Sequence, residues 1–343
     1  MTATDSPGSA RDLVTGRSWR ATGGYLAGRC VEYGVVLALA LVINFVLPRA
    51  LPGGPLQTLG GGGESVGLLS PEDQKRVLAE YGLDRSTSEQ FLTYLSNLAR
   101  LDLGNSFADG QPVVDVISRA LPWTLLLVGS SILLGFGIGV LLGAFGALRR
   151  QRGKGNILLG TALLFDSMPA FWLGMLLIAF FGVFLGVLPT FGVGDGFDDP
   201  AALPRHLLLP VLTLTLTGLG QFFLYTRYSM LSVLSSDHIE HGRARGIPRR
   251  RLTIRHALRP ALLPVHTLLM IEIGFLVGGA VVVETVFAYP GLGRVTFEAI
   301  RAKDFPLMQG TFLVLTVTVV AMNAVADATY ALIDPRVRTG TAP

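Results

Sequence analysis

The sequence holds one cysteine, Cys30, among 343 residues. A single thiol has no partner within the chain, so a disulfide framework and a cysteine metal site are both excluded. Charge is scarce as well, with Asp, Glu, Lys and Arg making up 15% of the chain against 50% hydrophobic residues. The G-x-x-x-x-G-K-[ST] phosphate loop is missing. Gly153-Lys154-Gly155 is only part of a short basic turn, which leaves the chain no recognisable means of binding ATP itself. H-E-x-x-H is missing too. The histidines, His206, His238, His241, His256 and His266, are not gathered in one place; His238 and His241 have the spacing to touch one ligand, but a surface polar role suits both better. Ser130, Ser131 and Ser167 lie in apolar stretches, where small hydroxyls serve helix packing more often than nucleophilic chemistry. No catalytic pair can be assembled, so the expectation is a chain that is not an enzyme and binds no cofactor or metal.

What the chain has is apolar length. Its mean hydropathy is +0.53, which is membrane composition. Crossing a ~30 Å hydrocarbon layer takes about 20 mostly apolar helical residues. Six stretches qualify or nearly qualify: 31–47, 122–148, 157–188, 206–232, 262–286 and 308–333. The reading is all-α, a polytopic membrane protein of six transmembrane helices. Val31 to Leu47 is short enough to resemble a signal-peptide core. It is preceded by 30 residues, however, and Leu47-Pro48-Arg49-Ala50 is a poor cleavage site, so the first helix is expected to stay. Met1 to about Gly24 reads as a disordered cytoplasmic tail.

Positively charged loops stay on the cytoplasmic side. With the N-terminus inside, the inner segments collect seventeen Lys and Arg residues, seven of them between Arg243 and Arg259, whereas the two short outer loops carry Arg205, Arg294, Arg301 and Lys303. Both termini are then cytoplasmic. Arg227, near the inner end of helix four, is expected to snorkel toward water. The expected organisation is a tail over 1–30, helix one over 31–47, an extracytoplasmic segment over 48–121, a permease domain over 122–333 with a cytoplasmic loop at 235–264, and a tail over 334–343. A basic pI of about 9.4 follows from this topology, and no aromatic platform is interleaved with the arginines, so nucleic acid is excluded as a partner.

The loop Ser235 to Pro264, SSDHIEHGRARGIPRRRLTIRHALRPALLP, is polar and strongly basic in an otherwise apolar chain. It reads as two short helices at an angle, with the corner at Gly246-Ile247-Pro248. Ile239, Gly242 and Ala244 form a small-residue patch on the near side, and Leu252, Ile254, Ala257, Leu258, Leu262 and Leu263 an apolar face on the far side. Such an insert suits a partner. Within the apolar stretches, ionisable groups are costly and point to function. Asp166, in LLFDSMPAFWLG, and Glu272 are candidates to line a path, whereas Glu284 and Asp327 sit nearer the interfaces and suit structural pairing. Ser131, Gly135, Gly139 and Gly143 recur every four residues and mark a face for close helix contact, within the subunit or between subunits. Pro169 and Pro210 predict kinks or interrupted turns.

The segment 48–121 is too long for a connector. Pro71 to Leu83, capped by Ser70, and Ser88 to Leu101 read as helices that, with Val113 to Leu121, form a small outer cap; Leu59 to Ser65 is a flexible stretch.

Several pieces in this order carry a resemblance: Leu51-Pro52-Gly53-Gly54-Pro55, Tyr81-Gly82-Leu83-Asp84, Leu101 to Phe107 (LDLGNSF), Pro169 to Gly174 (PAFWLG), the insert, Glu284 to Gly293 (ETVFAYPGLG) and Asp334-Pro335-Arg336. From about Tyr33 to Arg338 the chain resembles a membrane permease subunit of an ABC importer of the dipeptide and oligopeptide type, its B-like half. The resemblance implies that the insert is a coupling loop of the E-A-A…G kind, which docks on an ATPase. Glu240 then takes the acidic position and Gly246 the turn glycine, with Gly242, Ala244, Arg245, His256 and Leu258 beside them. The pattern is loose here, because His241 and Gly242 stand where two alanines are expected and Arg259 precedes Pro260 in place of leucine. The resemblance also implies two ABC ATPase subunits, a second homologous permease, an extracytoplasmic substrate-binding protein, a lipid bilayer in a prokaryotic cell membrane, and a peptide substrate crossing near Asp166, Pro169, Phe171 and Glu272. Nickel, glutathione and some sugars are substrates within the same resemblance. The alternative is an ion-coupled secondary transporter using Asp166 and Glu272, against which stand the small helix count and the lack of an inverted repeat.

Overall fold

The structure is a computed structural model, which describes residues 10–50, 72, 75, 79, 83–149, 154–194, 196–274 and 280–333. The regular structure among the described residues is helical, with a lone antiparallel bridge between Asn105 and Pro112. In chain order the elements are α1 (Ala10–Ala50), α2 (Thr87–Ala99), α3 (Val113–Leu148), α4 (Lys154–Asp166), α5 (Ala170–Phe184), α6 (Leu203–Leu234), α7 (Asp237–Ala244), α8 (Arg249–Gly274), α9 (Val281–Val286), α10 (Leu292–Ala302) and α11 (Phe305–Ile333). Five of these are long and apolar enough to cross a membrane, and α4 with α5 makes a sixth crossing if that bent pair is one span. The chain is an all-α polytopic membrane protein. Many large apolar side chains face outward, among them Leu133 at 70%, Val183 at 74% and Phe184 at 78% exposure, as a hydrocarbon solvent permits.

The helix limits correct the sequence reading in several places. Helix α1 starts at Ala10, so residues expected in a disordered tail are helical from there on; no proline interrupts the run between Pro7 and Pro48. Val113 to Leu121 is not a separate helix. It is the first quarter of α3, which continues through Pro122 because Val113, Ile117 and Ala120 are already seated on Leu292, Ala299 and Met308. Pro169 does more than kink its helix. The chain bends 98° between Asp166 and Ala170, since a residue before proline is pushed out of the helical region. Pro210, by contrast, lies inside α6 without ending it. The second half of the insert is continuous with the next span as α8, wound in wider π-type turns over Leu252–Leu258. Of the expected helix at Pro71 to Leu83, the described residues Glu72, Lys75 and Ala79 are helical and Leu83 lies in a turn, while the stretch Leu59 to Ser65 and the tail from 334 lie outside the described residues.

Helices α3 and α6 form the centre. Their contact is made by the four-residue stripe. A Cβ on Gly139 would stand 2.6 Å from the Cβ of Phe222, and one on Gly143 would stand 2.6 Å from the carbonyl of Phe223. Gly135 faces Phe222 at an ordinary 3.8 Å. Ser131 donates to the Leu127 carbonyl at 2.7 Å and to the Val211 carbonyl of α6 at 3.4 Å, while Thr215 donates back to the Ser131 carbonyl at 3.4 Å. The stripe therefore lies against a helix of the same subunit. Arg227 does not snorkel. It is buried at 7% exposure beneath Gly143 and Gly146 and donates to Asn156 of α4 at 3.1 Å.

Candidate functional site

Helix α7 is short, and its sequence suits a helix held from outside rather than by propensity. Ser236 precedes it in extended conformation, acidic Asp237 and Glu240 lie in the first turn and basic His241 and Arg243 in the last, each complementing the helix dipole. One face is pinned to the bundle. Ile239 is fully buried in a cluster with Ala147, Met230, Leu252, Ala257 and Ala261. Gly242 is buried beside it because Leu252 fills the space a side chain would need: a Cβ there would stand 2.7 Å from Leu252 Cδ1. The corner after α7 is made by Gly246 at φ 73, a left-handed value that glycine adopts at little cost. Its amide donates to the Arg243 carbonyl, and that of Ile247 to Gly242. Pro248 then leads into α8.

This arrangement sorts the expected coupling residues. Glu240, Ala244, Arg245 and Gly246 are exposed together at α7 and its corner, whereas Gly242 is an internal packing position and His256 and Leu258 are half-buried on α8. All seven arginines from Arg243 to Arg259 are exposed, and among the described residues none of them is ion-paired.

The intramembrane carboxylates divide as well. Asp166 ends α4 at the sharp bend, packed so closely on α6 that a Cβ on Gly220 would stand 2.5 Å from its own Cβ; its Oδ2 accepts from Gln221 Nε2 at 3.2 Å. Glu272 of α8 is half-buried. Helices α4 and α6 thus bring a carboxylate and an amide together, with Pro169 and the 44%-exposed Phe171 directly after the bend. Gln221 is missed by the sequence reading although it is a polar residue within an apolar helix.

Glu284 is fully buried at the far end from the insert. Its Oε1 accepts from Thr124 of α3 at 2.6 Å, and its Oε2 from the Arg294 amide at 2.9 Å in the first turn of α10. Thr124 in turn accepts from the Leu292 amide at 2.7 Å. Gly291 and Gly293 have no room for side chains, since a Cβ on either would meet this carboxylate. Tyr289 reaches the Trp123 carbonyl at 3.1 Å. The ETVFAYPGLG segment is a folded knot around one carboxylate. Asp304, not singled out in the sequence, does the same at the start of α11: it is fully buried, accepts from Ser106 at 2.5 Å and the Ala108 amide at 3.1 Å, and caps Leu307 at 3.1 Å. The side chain of Asp327 lies outside the described residues. Among the described residues no three of His, Cys, Asp and Glu gather as metal ligands.

Residues 135–339 match the family described as binding-protein-dependent transport system inner membrane component. The chain belongs to this family. It is 37% identical over 303 residues to a peptide transport system permease protein of Brucella abortus (strain 2308), covering 88% of this chain and 95% of that one. To the glutathione transport system permease protein GsiC of Escherichia coli (strain K12) it is 33% identical over 318 residues, covering 92% and 98%. Among solved structures, a chain of the MetNI methionine ABC transporter in inward-facing conformations superposes with a TM-score of 0.54 at 19% identity, over 64% of this chain and 97% of that one. That likeness concerns the fold alone. As an inner membrane component of a transport system, the family member described here is a permease of the ABC type, and its insert, α7 with the start of α8, falls inside the matched residues.

Proposed function

We propose that this permease forms half of the substrate path in an ATP-driven importer of peptide-type substrates, glutathione included, and that partner ATPases drive it through α7. The observation that carries the reading is the build of the insert. Helix α7 presents Glu240, Ala244 and Arg245 to solvent while Ile239 and Gly242 lock its other face to α3, α6 and α8. A push on the exposed face is then transmitted to three spans as a rigid displacement, which is how closure of ATPase subunits would rock a cavity between outward and inward openings. Hydrolysis belongs to the ATPases. The basic insert end is cytoplasmic on the charge rule, which puts both termini inside and the Glu284 and Asp304 knots outside, where a binding protein delivers substrate. Asp166, Gln221 and Glu272 support a polar patch on the path, and a second permease of the same family encloses the other side.

The test is copurification of the tagged permease. The native chain is expected to retain an ATPase. Glu240→Arg combined with Gly246→Trp, which reverses the charge of the docking face and puts a bulky side chain at a left-handed corner, is expected to lose the ATPase while keeping the second permease. Retention of the ATPase by the double variant would overturn the assignment of α7. ATP-independent transport abolished by Asp166→Asn would favour ion coupling instead.

A further inference from the structure

Helix α3 carries a second stripe, roughly a third of a turn round from the Ser131 to Gly143 stripe at 3.6 residues per turn. Leu134, Ile138, Leu141, Phe145 and Leu148 follow one another at spacings of four and three, and all stand outward, with exposures of 48%, 40%, 71%, 40% and 36%. Such residues share one helical face. From Ile138 to Leu148 the stripe is about 15 Å long at ~1.5 Å per residue, which matches one leaflet of a ~30 Å hydrocarbon core. It ends in a cavity of about 700 Å³ between α3 and α8, walled by Phe145, Leu148, Arg149, Arg249, Arg250 and Ile254. Thr253 adds a hydroxyl, and an adjoining cavity of about 670 Å³ shares Leu148, Arg249 and Thr253 and brings in Arg243. The Arg149 guanidinium lies over the Phe145 ring at 4.5 Å, and Ile254 is 53% exposed.

The geometry points to a binding site for one anionic phospholipid of the cytoplasmic leaflet, its phosphate held by Arg149, Arg249 and Arg250 and an acyl chain laid along Leu148, Phe145, Leu141 and Ile138. Two features choose this occupant. The cations and the apolar stripe are continuous, as an amphiphile requires, and basic pockets between helices at the cytoplasmic surface suit anionic headgroups. A free phosphate would leave the stripe unused, and a soluble ATPase does not reach a stripe lying within the bilayer. The site rests on the membrane orientation proposed above but not on α7 docking, because Arg149 and Arg250 lie outside the face assigned to the ATPase.

The importer with its partners is to be reconstituted into phosphatidylcholine vesicles containing a minor fraction of photoactivatable phosphatidylglycerol, the reactive group placed either on the headgroup or in mid-chain. The headgroup probe is expected to label peptides with Arg149 or Arg249 to Ile254, and the chain probe those with Ile138 to Phe145. Labelling is expected to exceed that by the matching phosphatidylcholine probe and to fall about fivefold for each arginine lost, given ~1 kcal/mol per cation near an anionic surface, in Arg149→Gln plus Arg250→Gln. Recovery in the double lysine variant shows that charge rather than folding is responsible. Equal labelling by both lipids, or no change in the glutamine variant, would mean ordinary boundary lipid and would sink the site. Loss of labelling on adding glycerophosphate would make it a soluble-anion site, and labelling that needs the ATPase removed would give the surface to the ATPase; each overturns the proposal. The ATPase copurification result is read separately, so the two readings fail independently.

Discussion

At one end of the bundle Glu284 and Asp304 are fully buried, and each carboxylate is surrounded by donors from distant parts of the chain. At the other end seven arginines between Arg243 and Arg259 stand exposed, with no carboxylate paired to any of them among the described residues. The first end settles its charges within the subunit. The second leaves them for something else to meet, and its buried anchors are apolar: Ile239, Leu252 and Ala257. An end that is internally satisfied is rigid and sensitive to mutation, because an orphaned buried donor costs about 1–3 kcal/mol. An end built of exposed charge tolerates substitution within about ±0.5 kcal/mol in folding while remaining sensitive in binding. This division places the chain's unmet charge at the insert end and its internally met charge at the other.

The comparison breaks most sharply at Glu284. Glu284→Ala strands the Thr124 hydroxyl and the amides of the first turn of α10 in a buried site, and the expected loss is about 3 kcal/mol or more. Read as a detergent melt, that is a fall of roughly 5–10 °C. Glu240→Arg at the insert end is expected to leave the same melt within a degree or two. If the two variants melt alike, the contrast between the ends is false.

A smaller effect separates packing from polar satisfaction at the insert end itself. Gly143→Ala places a methyl 2.6 Å from the Phe223 carbonyl, and overpacking of this kind costs about 1–3 kcal/mol. Gly137, nearly two turns back on the same helix, has nothing within 4 Å of the methyl an alanine would add, so Gly137→Ala is expected to be neutral or to gain up to about 1 kcal/mol from helix entropy. Paired melts check this. A loss at Gly137 equal to that at Gly143 would mean that a neighbour outside this chain also packs on α3.

Much of this is legible in the sequence alone. The long apolar runs announce the spans, because hydrocarbon demands internally bonded helices, and the spacing of Ser131, Gly135, Gly139 and Gly143 announces a close contact. Its partner is not announced, since nothing local says that Phe222 and Phe223 meet it. The insert is visible from its charge and from Gly246, but the burial of Gly242 depends on Leu252 across the corner. Glu284 stands where its position suggests pairing, yet its partner Thr124 lies 160 positions away. Asp304 escapes notice because it sits in a short polar turn after Lys303, and its partner Ser106 is 198 positions distant. Long-range polar pairing leaves no periodic trace in a sequence.

The gentlest test concerns α2, which lies outside the spans and beside the end of α1. Its start is a reciprocal cap: Ser86 Oγ accepts from the Glu89 amide at 3.4 Å and the Ser86 amide donates to Glu89 Oε2 at 3.1 Å. The hydrogen bonds from Ser86 hold the exposed Glu89 carboxyl below its ordinary value. A carboxylate depressed in the folded state stabilises fully above its unfolded pKa, and that contribution is lost as pH falls through the folded one. The cap is therefore expected to be complete at neutral pH and to loosen only on acidification below the ordinary glutamate range. Ser86→Ala is expected to cost about 1 kcal/mol of local stability, seen as faster amide exchange over Glu89 to Tyr94 with no change in the melt of the spans. Faster exchange spreading into α11 through Arg49, which bonds Gln90 at 2.9 Å and faces the Phe305 ring at 5.8 Å, would instead mean that α2 is part of the same rigid outer end as Asp304.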